Sequence, residues 1–243
     1  MLKDVIGEWP MYDEFILTSC DEKYLDKYFP RFYKTFTEKW QLPIHVHVVD
    51  PSAQSLQRLG KLKVSHTYCE TNSDILKWPY SYVTYCQAQR FILLGHKLQD
   101  NQHVIVADVD SYALKEPNES QHQHLIKDMA FTTYNGRLMA TFCHFHPSRK
   151  KEALLAAKKM TDDIQNTDVV GIDQKVIKQV FGVLPYTELT SGEWIRHLDV
   201  KTEQWDSYVD GNFKGKRQTV GKSGTKTNNR TKILRDDSHT IGY

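Results

Sequence analysis

The segment Val104-Ile105-Val106-Ala107-Asp108-Val109-Asp110 constrains this chain more than any other stretch. Four consecutive apolar residues read as a buried strand. Two carboxylates at i and i+2 of an extended chain project to the same side. They are hard oxygen donors, the type that holds Mg²⁺ or Mn²⁺. In an open α/β sheet, ligands gather outside the carboxyl ends of the strands, and the pair stands at such an end. Position and chemistry together point to a metal–phosphate site.

The rest of the chain supplies elements of matching type. Phe15-Ile16-Leu17-Thr18-Ser19 reads as a first strand, with Cys20-Asp21 as a polar turn after it. Apolar residues at 25, 28, 29, 32, 33, 36 and 40 have helical spacing, and Pro30 predicts that this helix starts near it or kinks there. Ile44 to Val49 is a second strand, in which His45 and His47 alternate with valines as on a half-solvated strand. Tyr80 to Leu98 reads as a helix leading to the strand at His103 to Ala107. Met129 to Thr133 and Leu138 to Phe145 flank an Asn135-Gly136 turn signal. Pro147 opens a helix through Met160, and Asp173 to Phe181 is another helical stretch. Strands alternating with helices over the first 110 residues predict βαβ units and a mostly parallel sheet.

Composition narrows the function classes. With 243 residues there is room for one α/β domain with a full core, or a large domain and a tail. Net charge is +2, so a uniformly basic surface is excluded. The basic excess is local: residues 211–235 hold Lys214, Lys216, Arg217, Lys222, Lys226, Arg230, Lys232 and Arg235, with no acid. No apolar run approaches the roughly 20 residues that span a bilayer. With no signal-like hydrophobic segment near the start, and four cysteines without CxxC spacing, a cytoplasmic chain with free thiols is expected. Gly221-Lys222-Ser223 is not a phosphate-binding loop, because Gly215 is one residue too far upstream. The HxH pairs 45/47, 122/124 and 144/146 lack a fourth-ligand pattern for zinc.

Taken in order, these pieces resemble the GT-A class of nucleotide-sugar glycosyltransferases, and more loosely its glycogenin-like and galactosyltransferase-like branch. The resemblance covers roughly residues 15–216. Phe15-Ile-Leu-Thr-Ser-Cys is similar to the nucleotide-binding first strand. Tyr85-Cys-Gln-Ala-Gln-Arg90-Phe is similar to the helix before the metal strand, where a basic residue faces the nucleotide. Val104 to Asp110 is similar to the DxD strand, and Gly171-Ile172-Asp173-Gln174 to the Asp-Gln that opens a late helix beside the donor sugar. The resemblance implies a GT-A type α/β fold: a mostly parallel central sheet flanked by helices, with a basic C-terminal loop or tail. It divides the chain into a catalytic domain, 1–210, and a basic Gly/Thr/Asn-rich segment, 211–243, closing on the diphosphate or binding nucleic acid.

The implied activity is metal-dependent transfer of a hexose or pentose from a nucleoside diphosphate, a UDP-sugar foremost, to a hydroxyl acceptor. Asp108 and Asp110 would hold Mn²⁺ or Mg²⁺, with Asn212 standing where the family has a histidine. Thr18, Ser19, Arg90, Asp108, Lys214 and Lys216 would meet the nucleotide, while Asp173 and Gln174 would serve the transferred sugar. Asp173 also reads as a helix N-cap, and His144 and His146 are secondary candidates near the sugar. The basic tail admits hydroxymethylated pyrimidine DNA as the acceptor, as for some phage enzymes. No stable membrane association is expected. Two other readings remain open. One is a phosphatase-type hydrolase with Asp108 as nucleophile, against which stand Ser111-Tyr112 after the motif and the long segment before it. The other is a nucleic-acid-binding protein without catalysis.

Overall fold

The computed structural model describes residues 5–62, 64–71, 77, 79–118, 122–123, 129–134, 137–190 and 195–197. A seven-stranded sheet divides it into layers. In chain order the strands are β1 (Glu14–Asp21), β2 (Ile44–Val49), β3 (Ser65–Cys69), β4 (His103–Ala107), β5 (Ser111–Ala113), β6 (Ala130–Tyr134), β7 (Arg137–Phe145), β8 (Thr187–Thr190) and β9 (Ile195–His197). The sheet order is β3-β2-β1-β4-β7-β6-β8, and β5 pairs with β9 in a small second sheet. The first four strands are mutually parallel, β7 is antiparallel to both neighbours, and β6 and β8 are parallel. The helices are α1 (Glu22–Trp40), α2 (Ala53–Lys61), α3 (Ser81–Lys97), α4 (Lys150–Asn166) and α5 (Ile172–Phe181). This is the mostly parallel α/β sheet flanked by helices that the sequence predicts.

Side-chain alternation explains the layering. Phe15, Leu17, Val104 and Val106 enter one core with α3, α4 and α5, whereas Ile16, Val46, Val48 and Ile105 enter the other with α1. Burial on both faces is why the central strands read as continuous apolar runs. Helix α1 departs from expectation: it starts directly after Asp21, which caps it by accepting from the Tyr24 N–H at 2.8 Å, and it continues through Pro30. An internal proline costs about 3 kcal/mol. Burial of Leu25, Phe29, Phe32 and Phe36 contributes about 1.5–3 kcal/mol each and outweighs it.

His45 and His47 are fully buried, not half-solvated, because β2 lies inside the sheet and α3 covers that face. A ladder of polar contacts replaces water. His45 Nδ1 meets Ser65 Oγ at 2.8 Å, and its Nε2 meets Thr67 Oγ1 at 3.0 Å. His47 Nδ1 meets the same hydroxyl at 3.0 Å, and its Nε2 meets Cys69 Sγ at 3.3 Å. Burial pushes both imidazoles down from 6.5 to about 3, so both are neutral in the fold at neutral pH. The four cysteines are free and buried. Among the described residues, no helix is long and apolar enough to cross a membrane.

Two predictions concern stability. The unfolded chain protonates His45 and His47 below about pH 6.5, while the fold keeps them neutral down to about 3. Their contribution is therefore full above pH 6.5 and falls as the pH drops through that window, by about 2 kcal/mol per histidine at pH 5. Urea midpoints should fall steadily from pH 7 to pH 5; a flat profile would contradict the neutral ladder. Gly95 on α3 faces α4, where an added Cβ would lie 2.4 Å from the Ala153 carbonyl oxygen and 2.5 Å from Ala157 Cβ. Gly95→Ala should therefore destabilise by about 1–3 kcal/mol through overpacking, despite alanine's better helix propensity. Thermal melting reads the sign.

Candidate functional site

Strand order creates the site. From β1 the chain crosses through α1 to β2 on one side, and through α3 it returns to β4 on the other. The gap between the carboxyl ends of β1 and β4 is therefore a topological switch point, where open α/β sheets bind ligands. A pocket of about 230 Å³ lies there. Its walls are Ser19, Cys20 and Asp21 from β1, Tyr24 from α1, Tyr82, Val83, Cys86, Gln87 and Arg90 from α3, and Asp108, Val109 and Asp110 after β4. The Asp108 N–H donates to the Thr141 carbonyl at 2.9 Å, which fixes the start of the carboxylate turn against β7.

Arg90 is the buried centre of the site. Its Nη2 pairs with an Asp108 oxygen and donates to Asp173 Oδ2 at 3.0 Å, and the guanidinium side chain is 4% exposed. Two carboxylates on one guanidinium offset the loss of hydration that would otherwise make a buried charge prohibitive. Ser19 secures the helix that carries Arg90. Its hydroxyl donates to the Cys86 carbonyl at 2.8 Å and accepts from the Arg90 N–H at 3.2 Å, the two groups of one α3 turn. Gln174 secures α5: its Oε1 accepts from the Ala140 N–H at 2.8 Å and its Nε2 donates to the Leu138 carbonyl.

The predicted residues divide accordingly. Ser19, Arg90, Asp108 and Asp110 line the pocket. Asp173 reaches it through Arg90, and Gln174 holds Asp173's helix against β7. Asp173 sits in the first turn of α5, whose N-cap is Gly171 at φ 80, not Asp173 itself. Thr18 is fully buried and is not among the lining residues. Asn212, Lys214, Lys216 and the proposed boundary at 210/211 lie outside the described residues. His144 pairs with Ile105 and stacks on His103, towards the amino end of β4 and away from the pocket. Sequence reasoning missed Asp21, Tyr24, Tyr82 and Gln87, which the fold of α1 and α3 brings to the pocket. Asp21 had a legible signal, an acid at the carboxyl end of a strand.

Three of the lining side chains are carboxylic acids, Asp21, Asp108 and Asp110, and one is a cation, Arg90, which Asp108 and Asp173 already engage. Burial pushes the Cys20 and Cys86 thiols up, which disfavours the thiolate form. The Tyr24 hydroxyl is pushed up by burial and then by Asp110. Asp108 and Asp110 are a donor set that fits a hard divalent cation, which commonly takes one or two protein carboxylates and fills its shell with water and phosphate oxygens. No group of three His, Cys, Asp or Glu side chains among the described residues converges on a metal position.

No protein-family profile and no curated protein matches the sequence. Among solved structures, two of the glycosyltransferase GlyE of Streptococcus pneumoniae TIGR4, one in its apo form, are similar with TM-scores of 0.49. Identity is 11% and 13%; each match covers 72% of this chain and 45% or 44% of the other. The chain thus spans less than half the length of those proteins.

Replacing Arg90 by Met leaves Asp108 and Asp173 without their counter-charge and should cost about 3–5 kcal/mol. Adding Asp173→Asn should recover part of that loss in urea unfolding. Independent, additive losses would show that the ion pairs are not the coupling.

Proposed function

We propose that this chain is a metal-dependent glycosyltransferase that moves a hexose or pentose from a nucleoside diphosphate, a UDP-sugar foremost, to a hydroxyl acceptor. The observation that carries this reading is the acidic pocket at the β1/β4 switch point. A diphosphate brought against Asp21, Asp108 and Asp110 would meet repulsion unless a divalent cation stood between. Such a cation, Mn²⁺ or Mg²⁺, would supply neutralisation of the charge on the leaving diphosphate. Asp108 and Asp110 would hold it, with Arg90 keeping Asp108 oriented.

The nucleoside would lie against Tyr24 and Tyr82, with Ser19 shaping the floor through its bonds to α3. In the transfer, the bond from the anomeric carbon to the diphosphate oxygen breaks and a bond to the acceptor oxygen forms. The acceptor proton goes to the departing diphosphate in a retaining reaction; an inverting one would require Asp173, which lies behind Arg90, to reach the acceptor hydroxyl. Asp173, fixed by Arg90, is the carboxylate assigned to the sugar side, and Gln174 positions it. Lys214 and Lys216 are proposed to close on the diphosphate, and Asn212 to complete the metal shell. Hydroxymethylated DNA as acceptor rests on the basic residues of 211–235 alone.

The phosphatase-type alternative would use Asp108 as its nucleophile and shares the same pocket; Ser111-Tyr112 after the motif and the long segment before it speak against it. Thermal shift with UDP, GDP, ADP and CMP, with and without Mn²⁺, tests the proposal. One diphosphate should stabilise the wild type only when Mn²⁺ is present, and Asp110→Ala should lose the shift. Stabilisation by none of them, or equal stabilisation of the variant, would overturn it.

A further inference from the structure

Two polar atoms of pocket-lining side chains are buried without a hydrogen-bond partner among the described residues: Gln87 Oε1 and Arg90 Nε. Both residues belong to α3, three positions apart, which makes them neighbours on one helix face. The Arg90 side chain is 4% exposed, and Nη2 is the atom that meets Asp108 and Asp173, so the Nε–H is left unused. Ser19 and Gln174, by contrast, bond their polar groups to backbone partners. A buried polar atom without a partner destabilises a fold, and a ligand that supplies the partner recovers the loss.

Hydrogen-bond chemistry restricts that ligand. The atom that meets Gln87 Oε1 has to be a donor, and the atom that meets the Arg90 Nε–H has to be an acceptor. Adjacent ring hydroxyls of a sugar supply both, whereas an ionised diphosphate supplies acceptors alone. Position agrees with a sugar. The same guanidinium holds Asp108, of the pair proposed to carry the cation, and Asp173, assigned to the sugar side. The cavity of about 230 Å³ is smaller than the roughly 300–1,000 Å³ of pockets that enclose a whole drug-sized ligand, so it suits one ring of the donor.

Charge restricts the sugar further. The lining acids are Asp21, Asp108 and Asp110, against the one lining cation, Arg90, and Asp173 stands behind it. Lys23, Lys27 and Lys77, described cations close in sequence to Tyr24 and Tyr80, are not among the lining residues. Two helices begin at this end of the site. Asp21 caps α1, and α3 starts at Ser81 without a side-chain cap, but Gln87 lies beyond the first turn in which a helix N-terminus favours anions. A carboxylate on the sugar would meet net negative charge here, and a neutral ring would not.

We propose that Gln87 determines the specificity for the transferred sugar: its Oε1 accepts from a ring hydroxyl, the Arg90 Nε–H donates to a neighbouring oxygen, and the sugar is a neutral one with free hydroxyls, not a uronic acid. The inference rests on the glycosyltransferase reading and adds the sugar class to it.

The test is isothermal titration of the full chain, with Mn²⁺ present, by UDP, UDP-glucose, UDP-galactose, UDP-xylose and UDP-glucuronate. At least one neutral sugar nucleotide should bind about tenfold tighter than the glucuronate. Gln87→Met removes the oxygen at nearly constant length. It should weaken the tightest sugar nucleotide about fivefold, the worth of one neutral hydrogen bond, and leave the affinity for UDP unchanged. The melting temperature of the unliganded variant should not fall, because the oxygen it removes has no partner in the fold. Three results overturn the assignment while leaving the donor reading intact: the glucuronate binding tightest, no loss in the variant, or an equal loss for UDP and its sugar derivatives, which would place Gln87 at the nucleotide. Absence of UDP binding to the wild type overturns the UDP-donor reading, and the sugar assignment with it.

Discussion

The buried Arg90 guanidinium is the interaction on which the site depends. It joins α3, the end of β4 and the start of α5, which are separated in sequence by up to 83 residues. A charge buried to this degree persists only if its partners are in place, so the pairing specifies the relative position of the three elements. The two carboxylates inherit that precision. Asp108 is held at the pocket wall, and Asp173 is held one side chain behind it. The supporting contacts are of the same kind: Ser19 fastens α3 to β1, and Gln174 fastens α5 to β7. A site made from ends of elements is thereby held as firmly as a core.

Acidity of the pocket wall follows from the same arrangement. Arg90 lines the pocket and is already paired with Asp108 and Asp173. Asp110 and Asp21 remain at the surface of the pocket. That acidity is what the proposed divalent cation would offset if a diphosphate bound here.

Much of this was legible in the residues. Apolar runs at Phe15–Leu17 and Val104–Ala107 announced buried parallel strands, because burial on both faces removes the polar alternation. The Asp108/Asp110 pair pointed to the strand end where the pocket lies, because ligands gather at strand ends in such sheets. What was not legible depended on long-range packing. His45 and His47 resemble a half-exposed strand until β3 and α3 cover them. Pro30 breaks a helix by local rules, yet an aromatic face beneath α1 holds it together. Arg90 was recognisable as a basic residue near the metal strand, but not as a bridge, since Asp173 lies so far along the chain. Tyr24, Tyr82 and Gln87 reach the pocket through the placement of α1 and α3, which no local pattern encodes. Residues beyond His197 carry the basic segment, and its part in the proposed reaction rests on sequence alone.

The most direct test of the central claim is a crystal structure of the chain grown with Mn²⁺ and the nucleoside diphosphate that stabilises it, with data collected at the manganese absorption edge. The account predicts an anomalous peak in contact with the Asp108 and Asp110 carboxylates, bridging them to the diphosphate at the carboxyl ends of β1 and β4. A nucleotide bound elsewhere, or bound in this pocket with no manganese between it and the two carboxylates, would contradict it.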